Sequence, residues 1–415
     1  MVGEILKKIL VLGTGAQGST VAQRMDEDPN VSEIICADYD QKAVDELVKI
    51  LQKGKGVRVD ANKVADIVKV AKGVDLIVNA LPIQFGLNVM EAAIEVKTNY
   101  QDFAAAEANG YHWSDLLRKL LTGEMNNRFK EIGKTALTCT GSAPGIICVA
   151  ARNAMRYLDS CDSIYMYVYE GVEAKRFLPF WWSPEVAYKD MTENPYCFTE
   201  GKLKQNGPFS LPIMKKFKGI DQPIRLVEHS HEEPIQMGIH SDEFFLGAKE
   251  IFFKYGGSGV EIAELLYKMG MLSQDSINVN GTQVVPFDIT RFLTPPAPKY
   301  ESEIKEILDE GLESDTGAML IEAVGMKDGK KVMVETYVNS LGCVEAFEKS
   351  KLTGETYLTG QGGALFTKMF VDDQIFQTGV ISSDMLTIEQ VDHYLSMAAK
   401  LDITLDVEVK ELNIA

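Results

Sequence analysis

A glycine-rich loop set between an apolar strand and a helical run constrains this chain more than any other feature. In the stretch Lys7 to Met25, KKILVLGTGAQGSTVAQRM, the segment Gly13-Thr14-Gly15-Ala16-Gln17-Gly18 directly follows a strand pattern and opens a helical one. G-x-G-x-x-G alone is a weak signal, but in this context each glycine has a physical task. The first permits a tight turn, the second lets backbone approach a pyrophosphate, and the third lets the helix pack closely on the strand. The helix start adds N–H groups and positive dipole. Gly13, Gly15, Ala16, Gln17 and Gly18 are therefore expected to cradle the phosphates of a dinucleotide, with a purely structural turn as the alternative.

The end of the next strand agrees with that reading. In EIICADYD, Asp38 is the acidic residue at the strand end and Asp40 follows two positions later. One of them is expected to accept hydrogen bonds from the adenosine ribose hydroxyls. A carboxylate there repels a 2′-phosphate, and the nearest cation downstream is Lys42, so NAD is expected in preference to NADP. A solvated strand end is the plain alternative for Asp38. Asp60, closing the third strand, faces the adenine edge or caps the helix that follows.

From Lys8 to about Gly141 short β-branched runs alternate with helical ones, the signature of βαβ units. Strands are predicted at Lys8–Leu12, Glu33–Ala37, Val57–Val59, Asp75–Asn79, Thr98–Tyr100 and Ala136–Cys139, with helical periodicity over Ala43–Gln52, Asn62–Val70 and Leu87–Glu95. This predicts an α/β, doubly wound parallel sheet of Rossmann type over residues 1–145. Beyond Gly145 longer alternating runs (SIYMYVYEG, PIRLVEHSHEE, AMLIEAVGM, KVMVETYV) predict a second, α+β domain with a mixed or antiparallel sheet over 146–350. Asp328-Gly329 and Asn206-Gly207 are candidate hairpin turns, since type I′ turns need positive φ at both central residues. Helical pattern in the tail, 351–415, is expected to pack back on the first domain.

Composition removes other classes. A chain of 415 residues divides, at roughly 150 residues per domain, into two or three domains, and 46% hydrophobic with 25% charged residues fits neither disorder nor a coiled coil. With 42 Lys+Arg against 60 Asp+Glu, the net charge of −18 repels phosphate backbones and anionic lipid, so neither nucleic acid nor a membrane is an expected partner. No apolar run is long enough to span a bilayer. The N-terminal residues enter a strand without the small-residue cleavage site of a signal peptide, so a cytoplasmic location is expected. The six cysteines are scattered without C-x-x-C spacing and are expected to be reduced core thiols.

Further segments resemble a known family. Val78-Asn79-Ala80-Leu81-Pro82, Asn99-Tyr100-Gln101-Asp102 and Gly141-Ser142-Ala143-Pro144-Gly145-Ile146 look like the saccharopine dehydrogenase-like family. So do Trp182-Ser183-Pro184-Glu185 with Asn194-Pro195 and Gly201, Gly281 to Pro286, and Leu358-Thr359-Gly360 with Gly379-Val380. The likeness covers nearly the whole chain in order. It departs from the family pattern at Val186, where a glycine is usual, and at Ser382-Ser383-Asp384, where the G-V-x-P-P-E segment has Pro-Pro-Glu, which bears on the substrate more than on the fold. That group includes lysine 6-dehydrogenases, glutamate-forming saccharopine dehydrogenases and carboxynorspermidine dehydrogenases. The resemblance implies a homodimeric, NAD-dependent oxidoreductase acting on a C–N bond of a small amino-acid or polyamine substrate. It also implies that Asn79, Ala80, Leu81 and Pro82 wall the nicotinamide ribose. Ser142 would stand at a neighbouring strand end, beside a helix whose N–H groups face the nicotinamide or a substrate carboxylate.

Amine oxidation needs a neutral nitrogen lone pair, a base and an anchor for the amino-acid head, while the cofactor carries the hydride chemistry. Asp102, ending a central strand, is the first catalytic candidate, and Tyr100 is the second; capping and packing are their plain alternatives. Arg176, with Lys175, Trp182 and Ser183, is expected to line a cleft and hold the substrate carboxylate. His229 and His231 form the one histidine cluster. On a strand both rings share a face, yet without a third ligand at a recognisable spacing no metal is expected, and His229 is assigned to substrate binding. Within the family, the NAD expectation favours lysine 6-dehydrogenase-type oxidative deamination. Imine reduction of the saccharopine or carboxynorspermidine type is the alternative, and a non-catalytic NAD-binding sensor is the alternative of another class.

Overall fold

A computed structural model describes residues 6–108 and 111–412. The chain divides into two compact units, Met1–Asn153 with Leu358–Thr404, and Ala154–Tyr357 with Leu405–Ala415. The first boundary thus falls at Asn153, within a helix, and the final strand belongs to the second unit.

The first unit is built on a seven-stranded parallel sheet. Its strands are β1 (Lys7–Leu12), β2 (Val31–Asp38), β3 (Gly54–Arg58), β4 (Leu76–Asn79), β5 (Asn99–Asp102), β6 (Thr135–Thr138) and β7 (Gly379–Ser382), in the order β7-β6-β5-β4-β1-β2-β3. Ile9, Leu10, Val11, Ile77 and Val78 are fully buried, as expected where helices cover both faces of a parallel sheet. The chain order reverses between β1 and β4, the switch point beside which ligands bind in open α/β sheets. Helices α1 (Ala16–Asp26), α2 (Gln41–Val48), α3 (Val64–Ala71) and α4 (Gly86–Val96) match the periodic stretches of the sequence to within a few residues. The third strand begins earlier than expected. The seventh, more than two hundred residues from its neighbour β6 in sequence, was not expected as a strand.

Helix α5 (Gly354–Val371) brings the tail to this sheet. Gln101 on β5 donates to the Gly363 carbonyl (2.8 Å) and accepts from Thr367 (2.9 Å), a buried polar clasp between strand and helix.

The second unit carries a nine-stranded mixed sheet in which Glu250–Gly257 runs parallel to Ser160–Ala174, and Ser160–Ala174 antiparallel to Leu312–Lys327. The strands Leu312–Lys327 and Lys330–Asn339 form the expected hairpin, with Asp328 at φ 49° and Gly329 at φ 77°. Asn206-Gly207 makes no such turn, as neither residue has positive φ; Asn206 instead donates to Glu228 at 2.8 Å. The strand pair Tyr196–Thr199 and Lys202–Gln205 turns at Glu200-Gly201, φ 52° and 72°. All six cysteines are buried and free. No described helix is long and apolar enough to cross a membrane.

Candidate active site

The phosphate loop has the shape its glycines require. Gly13 sits at φ 92°, and a Cβ there would lie 2.6 Å from the Ala80 carbonyl oxygen. A Cβ on Gly18 would lie 1.9 Å from the Gly13 carbonyl oxygen, whereas one on Gly15 would meet nothing within 4 Å. Gly13 and Gly18 therefore serve turn and packing, and Gly15 leaves open space at the start of α1. That helix begins at Ala16 with no side-chain cap on Gly15, the arrangement that suits an anion.

Two cavities run from this loop and share Ala80, Leu81 and Pro82. One, of about 350 Å³, is lined by Gly13, Gly15, Asp38, Tyr39, Asp60, Asn62 and Phe85, among others. The other, of about 290 Å³, is lined by Gln17, Asn79, Ile83, Gly86, Asp102 and Phe103 to Ala106. The first opens beside Asp38 and Asp60, and the second beside Asp102.

The two acidic residues after β2 divide their work. Asp40 caps α2, accepting from the Lys42 and Ala43 amides at 2.9 and 3.4 Å. Asp38 faces the loop: Oδ2 accepts from the Thr14 amide (2.7 Å) and hydroxyl (3.2 Å), and Oδ1 from the Asp40 amide (3.1 Å). Asp60 lines the cavity it shares with Asp38 without capping α3, whose N-cap is Lys63. Hydrogen bonds from Asn62 hold its carboxyl below the usual range.

At the other end a buried relay crosses three strands. Asn79 donates to the Tyr100 hydroxyl (3.0 Å), and Tyr100 donates to Asp102 Oδ2 (2.8 Å). Asp102 Oδ1 accepts from the Thr138 hydroxyl (2.7 Å) and the Cys139 amide (2.9 Å). Asp102 is 4% exposed and lines the cavity. Tyr100 is fully buried and does not line it, so the expected contact between Tyr100 and a reacting nitrogen is corrected: its hydroxyl positions Asp102. Burial and the adjacent Asp102 charge push the phenol well above its usual pKa. Gln17, another lining residue, has a buried Oε1 without a partner.

The loop after β6 also differs from expectation. The amides of Ile146 and Ile147 donate to the Gly141 and Ser142 carbonyls at 3.1 and 3.0 Å. These N–H groups are spent inside the turn and do not face a ligand, and the Ser142 hydroxyl meets that of Thr359 at 2.9 Å.

In the second unit, Arg176 is ion-paired with Glu306 and Glu310, so a substrate carboxylate would have to displace both. Ser183 caps the helix Pro184–Thr192 through the Val186 amide. Trp182 directs a buried indole N–H without a geometric partner toward Glu170 and Tyr255. Tyr255 hydrogen-bonds Glu170, whose carboxyl burial raises. The strand expected to carry His229 and His231 ends at Glu228, and the two rings, 5.5 Å apart and tilted at 53°, do not share a strand face. Burial first, then the neighbouring His231, lowers His229 to about 3. Burial also opposes protonation of His231, but Glu233, Glu232 and Asp190 more than offset it and raise His231 to about 9. Its Nδ1 lies 2.6 Å from Glu233, and its ring stacks on Phe253 at 4.1 Å. His231, Glu232 and Glu233 bring one potential metal ligand each to within 4.8 Å of one another, a grouping the ion pair already explains.

Glu232 and Glu233 adjoin His231 in sequence, whereas Asp190, from the helix Pro184–Thr192, was not revealed by spacing. Spacing did hold a signal for Thr138, which ends β6 just as Asp102 ends β5.

Residues 9–137 match the family model described as the saccharopine dehydrogenase NADP binding domain. That segment of the first unit is similar to saccharopine dehydrogenases. Likeness to proteins of this kind extends along the whole chain. A carboxynorspermidine synthase of Vibrio alginolyticus is 25% identical over 437 residues, covering 97% of each chain. Another, of Vibrio cholerae, is 23% identical, covering 91% of this chain and 92% of the relative. Among solved structures, a glutamate-forming saccharopine dehydrogenase of Saccharomyces cerevisiae shares the fold at TM-score 0.68 and 15% identity, covering 98% of this chain and 100% of the other. The homospermidine synthase of Legionella pneumophila, solved with NAD, gives TM-score 0.62 at 10% identity, covering 98% and 91%. The chain is an α/β protein with a Rossmann-type parallel sheet, and its residues 9–137 match an NADP binding domain.

Proposed function

We propose that this protein is an NAD(P)-dependent oxidoreductase acting on a C–N bond of an amino-acid or polyamine substrate. The observation that carries this reading is the pair of cavities joined at Ala80 to Pro82, with the phosphate loop at their junction and the buried carboxylate of Asp102 at the far end. Gly13, Gly15, Gln17 and the start of α1 hold the pyrophosphate; Asp38 and Asp60 border the adenosine; Asn79 to Pro82 wall the nicotinamide ribose. When bound, the nicotinamide supplies the hydride donor or acceptor. Asp102 lies at the cavity wall, aimed by Tyr100 and Thr138, and there it steadies a substrate ammonium or takes a proton through water.

Within this class we favour reduction of an imine formed between an amine and a carbonyl compound, supported by full-length similarity to proteins named carboxynorspermidine synthase. Lysine 6-dehydrogenase-type deamination is the second reading, supported by Asp38, which favours NAD. Absorbance at the NADH band separates them, with NAD or NADP and lysine, ornithine, saccharopine or carboxynorspermidine offered in turn. Oxidation of carboxynorspermidine or saccharopine alone supports the imine reading, and oxidation of lysine alone overturns it. Cofactor binding without turnover on any amine favours a sensor.

Exposed apolar residues in the second unit, Leu265, Met269, Phe292 and Leu293, support a homodimer, which sedimentation velocity tests. A cytoplasmic location fits the same reading, and cell fractionation tests it.

A further inference from the structure

Three glycines stand within four residues in the interior of α5: Gly360, Gly362 and Gly363. After proline, glycine is the residue a helix interior tolerates worst, so a close approach must account for each. A Cβ on Gly360 would lie 2.9 Å from Gln17 Oε1 and from the Thr20 side chain on α1, and one on Gly362 would lie 2.7 Å from the Gly141 carbonyl oxygen. At Gly363 the obstacle is of another kind. The Cβ would lie 2.2 Å from the ring of Phe103, the residue that follows Asp102 and lines the cavity beside it.

Strand and helix cannot part to relieve that contact. Gln101, two residues before Phe103, donates to the Gly363 carbonyl at 2.8 Å and accepts from Thr367 at 2.9 Å, and both side chains are fully buried. The Phe103 ring, unlike the Gly141 carbonyl, is the free end of a side chain and is the part able to yield. Phe103 is only partly buried. The bare helix backbone bounds its ring on one side, and the wall running from Asp102 through Phe103 to Ala106 bounds the cavity on the other. A methyl group on Gly363 therefore drives the ring into a space of only about 290 Å³.

We propose that Gly363 is a positioning residue that seats the Phe103 ring against α5 and so keeps the cavity beside Asp102 open for the nicotinamide end of the cofactor and the reacting carbon. The inference rests on the dinucleotide reading above and adds to it the contact that sets the room at the reacting end.

The test is calorimetric titration of the full-length protein with NAD, NADP and their nicotinamide-free counterparts, ADP-ribose and 2′-phospho-ADP-ribose. Gly363→Ala pushes the ring from the helix side. Phe103→Trp enlarges the ring on an unaltered helix, and the double variant Gly363→Ala with Phe103→Leu removes the ring that the new methyl meets. An unchanged far-ultraviolet spectrum certifies the folding of each variant. Gly363→Ala and Phe103→Trp are each expected to weaken NAD and NADP by about tenfold or more, and the two counterparts by less than about threefold. The double variant is expected to return NAD and NADP to within about threefold of the unaltered protein, a rescue that a merely structural glycine would not show. Equal weakening of cofactors and counterparts, unchanged cofactor affinity in Phe103→Trp, or no recovery in the double variant overturns the positioning role while leaving the dinucleotide reading intact. Absence of binding by all four nucleotides to the unaltered protein overturns the dinucleotide reading itself.

Discussion

Tyr100 and Asp102 stand two residues apart on β5, and the phenol hydroxyl of the first donates to Oδ2 of the second across 2.8 Å. Strictly alternating side chains two apart share a face, so this strand end brings a fully buried donor under a carboxylate that reaches the cavity. The arrangement makes Tyr100 a positioning residue. Tyr100→Phe removes the hydroxyl that Asn79 Nδ2 and Asp102 Oδ2 share. Losing a buried hydrogen bond to a charged group costs about 1–3 kcal/mol. Urea unfolding is expected to show that loss, and kcat to fall while KM for the cofactor holds. A stability loss with an unaltered kcat would show that Asp102 does not need the phenol.

Asp102→Asn tests the carboxylate itself. The amide preserves shape and still accepts from Thr138 and the Cys139 amide through its oxygen, but it offers no negative charge and no base. Removal of a positioned acid–base group reduces turnover by about 10²- to 10⁴-fold, and this loss is expected with dinucleotide affinity retained. Full turnover in Asp102→Asn would remove Asp102 from the chemistry. The same measurement distinguishes an enzyme from a sensor, which has no turnover to lose.

The sheet and the phosphate loop were legible because both rest on local pattern: β-branched runs, helical periodicity, and glycines at fixed offsets. Asp38 and Asp102 were legible as strand ends for the same reason. What escaped was set by pairing between distant segments. Phe103 meets Gly363 only because α5 returns from the far end of the chain, and β7 joins β6 from the same end. The Asn206-Gly207 dipeptide had the chemistry of a hairpin turn, yet Glu228 captured the asparagine side chain and the turn formed at Glu200-Gly201. Ser142 and the loop after β6 matched a family motif, but the motif could not disclose that the Ile146 and Ile147 amides are consumed by their own turn.

The two histidines of the second unit set a pH dependence of stability. His229, lowered to about 3 by burial, is neutral in the folded state, so the unfolded chain binds more protons between about pH 3 and 6.5, and stability rises with pH there. His231, raised to about 9 by its carboxylate neighbours, behaves oppositely. Its contribution is complete below about pH 6.5 and is lost as pH climbs through about 9. The second unit should thus be most stable near pH 6.5, with an alkaline decline of about 3 kcal/mol attributable to His231. Chemical unfolding at intervals from pH 5 to 10 checks this, and the alkaline limb is expected to flatten in His231→Gln. An unchanged limb in that variant would assign the decline to another group.

Gly13→Ala asks whether the loop geometry is needed for binding. Two costs coincide at this position: φ is 92°, and the new Cβ would lie 2.6 Å from the Ala80 carbonyl oxygen, a backbone atom that cannot rotate away. Relief requires β1 and β4 to separate at the switch point or the loop to move off α1, and either shift displaces Ala80 to Pro82, the wall shared by both cavities. Strain of this kind costs about 1–3 kcal/mol, which a domain of ordinary stability survives. The variant is therefore expected to fold with a lowered midpoint and to bind both NAD and NADP at least about tenfold more weakly, because the damage lies at the pyrophosphate that the two share. Gly15→Ala provides the contrast. Its Cβ meets no protein atom within 4 Å, so stability should stay nearly unchanged while the methyl occupies the space assigned to the phosphates. Loss of binding in Gly15→Ala without loss of stability would locate the pyrophosphate at this residue; full binding in that variant would place it elsewhere.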